Sequence, residues 1–245
     1  MANVPDPRTT SAGFNGVPAG TVDAAFDAGL RSYMLSIYNY MASAVLVTGI
    51  VALLFAQSGL AYQVMAGGGL LAYALMFAPL IFVMVLSFGI NRLQTRTAQM
   101  IYWAYAAVMG LSMASIFLVF TQTSIAQTFF ATAAAFAGLS LYGYTTKRDM
   151  SAFGAFLIMG VVGILVASLI NLFLKSTGLE LAISILGVLI FAGLTAYDTQ
   201  RLKSQYTYVA GTDMEGKAVV LGALSLYLDF VNMFMFLLRL LGNRQ

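Results

Sequence analysis

The chain has 245 residues, of which 60% are hydrophobic and only 9% are charged, whereas roughly 25% of residues are charged in a soluble domain. This composition excludes an ordinary soluble enzyme and predicts an integral membrane protein. The net charge of +3 comes from basic residues spread along the chain, which argues against nucleic acid as a partner. Because cysteine and histidine are both absent, disulfides, thiolate metal sites and an imidazole pH sensor are excluded.

The N-terminal segment is polar and rich in Gly, Pro and Thr, and it lacks the apolar core of a signal peptide. We expect residues 1–31 to form a cytoplasmic tail that is partly disordered. Within this tail, residues 21–31 could form a short interfacial helix that is capped by Thr21 and has Phe26 and Leu30 on one face.

Long intervals without charge indicate membrane-spanning helices. No charged residue lies between Arg31 and Arg92 or between Arg96 and Lys147, and each interval has room for two spans of about 20 residues. We therefore predict an all-α integral membrane protein, a seven-transmembrane-helix bundle. The bundle would occupy residues 32–241 before a short tail at 242–245, with spans near residues 33–56, 64–89, 99–120, 125–144, 151–174, 180–201 and 218–240.

Basic residues concentrate in the N-terminal tail and in alternate connections, whereas the opposite connections hold only Lys175. The positive-inside rule therefore places the N-terminus in the cytoplasm of a multi-pass protein of the cell membrane. Seven spans would put the C-terminus outside, where Arg239 and Arg244 conflict with the rule. A last segment that does not fully cross would remove this conflict, and both alternatives stay open at this point.

Two carboxylates, Asp198 and Asp229, lie inside hydrophobic segments. A charged Asp at the centre of a membrane helix costs about 2.5–3.5 kcal/mol, so such a residue usually has a function or a partner. If spans six and seven form a hairpin about the loop GTDMEG, the two residues lie at similar depth. The pair would then titrate as a unit and could bind a divalent cation such as Ca²⁺.

The neighbours of these two residues suggest supporting roles and one alternative. Ser225 and Asn232 share the helix face of Asp229 and could hydrogen-bond to its carboxylate. Asp198, which the sixth predicted span places near the end of its helix, could instead be an ordinary interfacial residue.

The segments GLTAYDTQRLK and ALSLYLDFVNMFMFLLRLLG resemble the Bax inhibitor-1 family, also called the transmembrane Bax inhibitor motif or lifeguard family. The length of the chain is similar to that of the bacterial branch. The resemblance implies a pH-dependent calcium leak across the bacterial inner membrane, with Asp198, which follows Tyr197, and Asp229 as a paired sensor. It also implies that an arginine at the cytoplasmic end of span two latches onto Asp198; Arg92 is the best match and Arg96 is the rival.

The resemblance thus implies a protein that is not an enzyme and has no cofactor, with Ca²⁺ as its transported or regulatory ion and with protons and the lipid bilayer as its other partners. One alternative is a regulator that binds a membrane partner such as a membrane-anchored AAA protease. Another is an intramembrane aspartyl protease, which also uses two Asp residues on neighbouring helices. The protease alternative is weaker because Asp229 follows Leu226, Tyr227 and Leu228 rather than the Gly-x-Gly of such enzymes.

Overall fold

The structure is a computed structural model that describes residues 19–244, apart from the side chains of residues 19–23, 65 and 66. Within residues 19–244 the chain is helical except for its connections and a bridge between Phe120 and Arg244, which confirms the all-α class. The disorder predicted near the N-terminus concerns residues that lie mostly outside the described part. The helices are α1 (Ala19–Gln57), α2 (Leu60–Ala66), α3 (Leu70–Gly89), α4 (Thr95–Met113), α5 (Ile116–Val119), α6 (Gln122–Thr145), α7 (Ser151–Leu174), α8 (Thr177–Val209) and α9 (Glu215–Leu241).

Seven helical segments of the described chain are long and apolar enough to cross a membrane, as the charge-free intervals predicted. Helices α4 and α5 act together as the third of these segments, Thr95–Val119. A tighter turn separates them, in which the Ala114 amide donates to the Leu111 carbonyl three residues earlier at 3.4 Å. Helix α2 has only 7 residues and is too short to span.

Two predicted span boundaries were wrong, and each has a local cause. The second span begins at Leu70 rather than near residue 64, because Gly68 adopts a left-handed conformation (φ +55°) that ends α2. The sixth span does not end near residue 201, since α8 continues to Val209. Its 33 residues measure about 50 Å, so α8 extends well beyond the hydrocarbon core of about 30 Å.

The N-terminal segment joins the first span without a break. Helix α1 runs from Ala19 to Gln57, so a separate interfacial helix with a Thr21 cap is wrong and the boundary predicted at residue 31 falls inside a helix. The Tyr206 ring of α8 lies 5.1 Å from the Phe26 ring and 5.2 Å from the Tyr33 ring. These aromatic contacts hold the start of α1 against the end of α8 and explain why the helix persists there.

Helix α9 lies at the centre of the bundle, where it packs against α8, α1, α6 and α4. In the most apolar 18-residue stretch of α9, 67% of the residues are buried, whereas in the corresponding stretch of the peripheral helix α3 only 11% are buried. A carboxylate on α9 is therefore enclosed by protein rather than exposed to lipid.

The C-terminus lies at the opposite end of the bundle from the α8–α9 connection. The Thr121 amide donates to the Asn243 carbonyl at 3.0 Å, and the Asn243 amide donates to the Ser124 hydroxyl at 3.0 Å. Arg244 also forms an ion pair with Glu180 of α8, with 3.4 Å between Nη2 and Oε1. Helix α9 thus crosses the whole bundle.

A buried hydroxyl links three helices in the core and carries a testable prediction. The Thr48 hydroxyl of α1 donates to the Ala106 carbonyl of α4 at 2.9 Å, so the Tyr227 hydroxyl of α9, 2.7 Å away, must donate to Thr48. Thr48→Val should lower the free energy of unfolding by about 1–2 kcal/mol, because it leaves Tyr227 without an acceptor. Unfolding by SDS titration in bicelles measures this loss.

The matched control for Thr48→Val is Thr145→Val. The Thr145 hydroxyl is exposed and donates only to carbonyls of its own helix, at 2.8 and 3.3 Å. Equal losses of unfolding free energy in Thr48→Val and Thr145→Val would show that the contacts of the Thr48 hydroxyl with α4 and α9 do not stabilise the fold.

Candidate functional site

Asp198 and Asp229 face each other across the antiparallel pair α8 and α9. Both are buried, with 8% of Asp198 and 4% of Asp229 exposed, and the two carboxyl groups are close enough to interact electrostatically. Asp198 precedes the end of α8 by about 16 Å, and Asp229 follows the start of α9 by about 21 Å. The hairpin therefore brings two acids to similar depth near the middle of the bundle.

A close approach between α6 and α8 fixes the position of Asp198. Gly143 of α6 lies directly against the backbone of Ala196, and a Cβ atom at Gly143 would collide with the Ala196 carbonyl. On the other side of α8, Leu202 packs against Gly222 of α9. Small residues thus let α8 sit tightly between its two neighbours, so the Asp198 side chain has little freedom to move away from α9.

Asp198 has two polar partners. The Ser225 hydroxyl of α9 lies beside the Asp198 carboxyl group, and both side chains line the same cavity. Arg201, one turn further along α8, places Nη1 3.7 Å from Asp198 Oδ1. This separation is an ion pair but exceeds hydrogen-bond length, and 59% of the Arg201 side chain is exposed. The ion pair is therefore weak, and solvent can reach it.

Asp229 is less well satisfied. Its Oδ2 atom is buried and has no hydrogen-bond partner among the described residues. Neither side chain predicted to support it does so: Ser225 lies beside Asp198, and the Asn232 amide donates to the Leu228 carbonyl at 2.8 Å. A buried carboxylate oxygen without a donor is costly, which favours a bound proton or cation at this point.

A polar cavity of about 260 Å³ leads to this pair from the end of the bundle that holds the α8–α9 connection. Asp198, Arg201 and Gln205 of α8 line one wall, Ser225 of α9 lines the other, and Ser87 of α3 completes the rim. Asp229 lies behind Asp198 and does not line the cavity. Asp198 is thus the carboxylate that solvent reaches first.

The remaining predicted residues lie apart from the pair. Arg92 is exposed in the connection between α3 and α4, Arg96 is exposed in the first turn of α4, and neither forms an ion pair with Asp198 within the described chain. Tyr197 packs its ring against Gly154 of α7, on a different face of α8 from Asp198. The structure therefore places Arg201, not Arg92, beside Asp198.

Comparison with known sequences shows the family to which this chain is similar. Residues 30–245 match the family described as "Inhibitor of apoptosis-promoting Bax1". The chain belongs to this Bax inhibitor family. The match covers the whole transmembrane bundle and confirms the resemblance that the segments around Asp198 and Asp229 indicated.

Bacterial members of the Bax inhibitor family are similar to the chain over most of their length. An uncharacterised protein of Rickettsia prowazekii is 46% identical over 221 residues, which is 90% of this chain and 93% of the relative. The inner membrane protein YbhL of Escherichia coli is 44% identical over 220 residues, 89% of this chain and 94% of the relative. An uncharacterised membrane protein of Streptococcus pyogenes is 37% identical over 219 residues, covering 89% and 95%.

Sequence reasoning missed three polar residues in the site of this Bax inhibitor family member, namely Arg201, Gln205 and Ser87. Arg201 follows Asp198 by three positions, a spacing that brings side chains together on a helix, so the sequence contained the signal. The predicted sixth span ended at residue 201. Arg201 was therefore grouped with the basic residues of the following connection, which were used only to orient the chain in the membrane. Ser87 carried no comparable signal, since nothing in the sequence relates α3 to the α8–α9 hairpin.

Proposed function

We propose that this protein is a pH-sensitive calcium leak channel of the bacterial inner membrane, with its N-terminus in the cytoplasm. Asp198 and Asp229 would sense protons and Ca²⁺. The observation that carries the proposal is the burial of two facing carboxylates in the middle of adjacent spans, one of them with an unpaired oxygen. Ionisable residues inside membrane spans commonly mark ion or proton pathways.

The proton is one natural ligand of the pair. Two carboxylates enclosed in a medium of low dielectric constant repel each other strongly, and a proton or a cation between them relieves that repulsion. The two groups then exchange protons as one coupled unit rather than as independent acids. Since the cavity reaches Asp198 from one end of the bundle, protons on that side have access to the unit.

Calcium is the other proposed ligand, as a transported ion rather than a resident one. Ca²⁺ prefers six to eight oxygen ligands. The two carboxylates and the Ser225 hydroxyl supply part of such a set, and water would supply the rest. Within residues 19–244 no group of three or more Asp, Glu, His or Cys side chains could hold a metal. A site of this kind would bind Ca²⁺ weakly and release it quickly, as conduction requires.

This conformation fits the closed state of such a leak. Beyond Asp229, toward the C-terminal end of α9, the buried side chains of Met233, Phe234 and Leu238 fill the centre of the bundle. Protonation of Asp198 would remove its attraction to Arg201 and allow the cavity end of α8 to move. We therefore expect Ca²⁺ flux to rise as pH falls.

Transport is favoured over catalysis by the surroundings of Asp229. Leu226 and Tyr227 are completely buried, so α9 offers no exposed backbone beside Asp229 on which a peptide substrate could lie. An aspartyl protease needs both carboxylates to reach a shared water molecule and the substrate.

The proposal is tested by Ca²⁺ flux in proteoliposomes of the wild-type protein compared with empty liposomes, between about pH 5 and about pH 8. Flux above the empty control that increases toward acid pH supports a leak. No flux above the control, from protein shown to be folded and inserted, would contradict it and favour the regulator of a membrane partner.

The proposed latch leads to a separate prediction. Arg201 lies beside Asp198, where the family resemblance had led us to expect Arg92. Arg201→Gln should raise Ca²⁺ flux at neutral pH by at most about fivefold, since an exposed ion pair contributes about 0.2–1 kcal/mol. Arg92→Gln and Arg96→Gln serve as controls of equal charge change and should leave the flux unchanged. A rise in Ca²⁺ flux in Arg92→Gln alone would contradict this prediction and would identify Arg92 as the latch.

A further inference from the structure

A deep apolar groove lies between α1 and α6 on the membrane-facing side of the bundle. Its main part has a volume of about 700 Å³, and a second cavity of about 490 Å³ continues it along the same two helices. Val45, Phe129 and Phe230 form walls of both parts. Exposed Leu35 and Leu141 border the opening, so the groove faces the lipid.

One hydroxyl in the wall of this groove lacks a partner. Ser140 is 5% exposed, and its Oγ atom is buried without a hydrogen bond among the described residues. Hydroxyls in helices usually donate to the carbonyl four residues earlier, as Thr132, Thr195 and Thr199 do here at 2.7–2.8 Å. Ser140 does not, although it lines the groove, so a rotation of its side chain would offer this unpaired hydroxyl to an acceptor inside the groove.

One end of the groove is basic. Arg31 of α1 lines it there and is exposed, and Tyr144 of α6 lies across from it. Lys203 of α8 donates to the Tyr144 carbonyl at 2.9 Å and places its ammonium 4.7 Å from the centre of the Tyr144 ring. Two positive charges thus stand near the polar end of an apolar channel.

The main part of the groove is long enough to hold the acyl chains of one membrane leaflet. From Arg31 to Val45 the groove follows α1 for about 21 Å, compared with about 15 Å for half of the hydrocarbon core. Ser140 lies one turn, about 5.4 Å, below Tyr144, at a depth between the basic end and the purely apolar part.

We propose that this groove binds a glycerophospholipid with an anionic headgroup. Its phosphate pairs with Arg31, an ester carbonyl accepts a hydrogen bond from Ser140, and its acyl chains fill the channel between α1 and α6. The site is separate from the Asp198–Asp229 pair, and the inference does not rest on the calcium leak.

Native mass spectrometry of the detergent-purified protein, titrated with phosphatidylglycerol or phosphatidylcholine, tests the site. Ala137 lines the groove and is exposed, whereas Ala135 is exposed on the same helix outside it. Ala137→Trp should weaken phosphatidylglycerol binding by at least about tenfold because the indole fills the groove, and Ala135→Trp should not. Equal binding by the two tryptophan variants would overturn the proposal.

Two further variants test the polar contacts. Arg31→Gln should weaken phosphatidylglycerol binding by about fivefold and leave phosphatidylcholine binding unchanged, since one basic residue near anionic lipid contributes about that much. Ser140→Ala should weaken both lipids alike, because the ester carbonyl is common to them, and Ser184→Ala, outside the groove, should weaken neither. Unchanged binding in Arg31→Gln and Ser140→Ala would overturn the assignment of these contacts.

A final competition experiment distinguishes binding of a lipid headgroup from binding of a free anion. Inorganic phosphate in excess should not displace phosphatidylglycerol, since the acyl chains supply most of the buried apolar area. Full displacement by phosphate would show a simple anion site and would contradict a lipid site.

Discussion

Asp229→Asn should give a folded protein whose Ca²⁺ flux is reduced by about tenfold and no longer changes between about pH 5 and about pH 8. Asparagine has the size of aspartate, so the centre of the bundle stays filled. It cannot accept a proton in this range, however, and it removes a negative charge from a site where each charged contact is worth about 1.5–3 kcal/mol. The measurement is Ca²⁺ entry into proteoliposomes with the external pH varied.

The matched control for Asp229→Asn is Asp213→Asn in the loop between α8 and α9. Asp213 is exposed, so its substitution makes the same change of charge without touching the buried pair. We expect the control to keep the wild-type pH profile. A pH profile in Asp229→Asn that coincides with that of the wild type would contradict a sensing role for Asp229.

Gly143→Val should be strongly destabilising, with a loss of about 3 kcal/mol in the free energy of unfolding. The added side chain would meet the backbone carbonyl of Ala196, which cannot rotate away as a flexible side chain could. Helices α6 and α8 must then separate, and Asp198 shifts with α8. Overpacking of this kind typically costs about 1–3 kcal/mol, and a backbone obstacle favours the upper end.

Gly138→Val, also on α6, separates this collision from the general effect of a branched residue in a helix. A Cβ atom at Gly138 would meet nothing within 4 Å. SDS titration in bicelles should therefore show a large loss for Gly143→Val and a change of less than about 1 kcal/mol for Gly138→Val. Similar unfolding free energies for the two variants would show that the α6–α8 approach is not close enough to position Asp198.

The sequence carried strong information about the membrane spans and weak information about how they pack. Charge-free intervals predicted the seven spans because charge is excluded from hydrocarbon, a constraint that acts on each segment separately. The sequence also predicted that Asp198 and Asp229 face each other, because the α8–α9 connection is short and leaves few arrangements other than a hairpin.

The polar contacts of the site depend on the direction in which each side chain points around the axis of its helix. The sequence does not show these directions. Ser225 shares a helix with Asp229 yet lies beside Asp198, because its position on α9 is turned toward α8. Asn232 bonds to its own helix instead. The latch was assigned to Arg92 through the resemblance alone, while the nearer Arg201 was available from its spacing of three residues after Asp198.

The most direct test of the central claim is infrared difference spectroscopy of the carboxyl groups, with and without Ca²⁺, as pH falls from about 8 to about 5. For the wild type we predict a protonated-carboxyl band that Ca²⁺ suppresses, because proton and cation compete for the same pair. The band should be absent from the double variant Asp198→Asn, Asp229→Asn, because the other acids among residues 19–244 lie near helix ends and in loops. A band of equal intensity in both proteins, or one that Ca²⁺ leaves unchanged, would contradict the proton and calcium sensor.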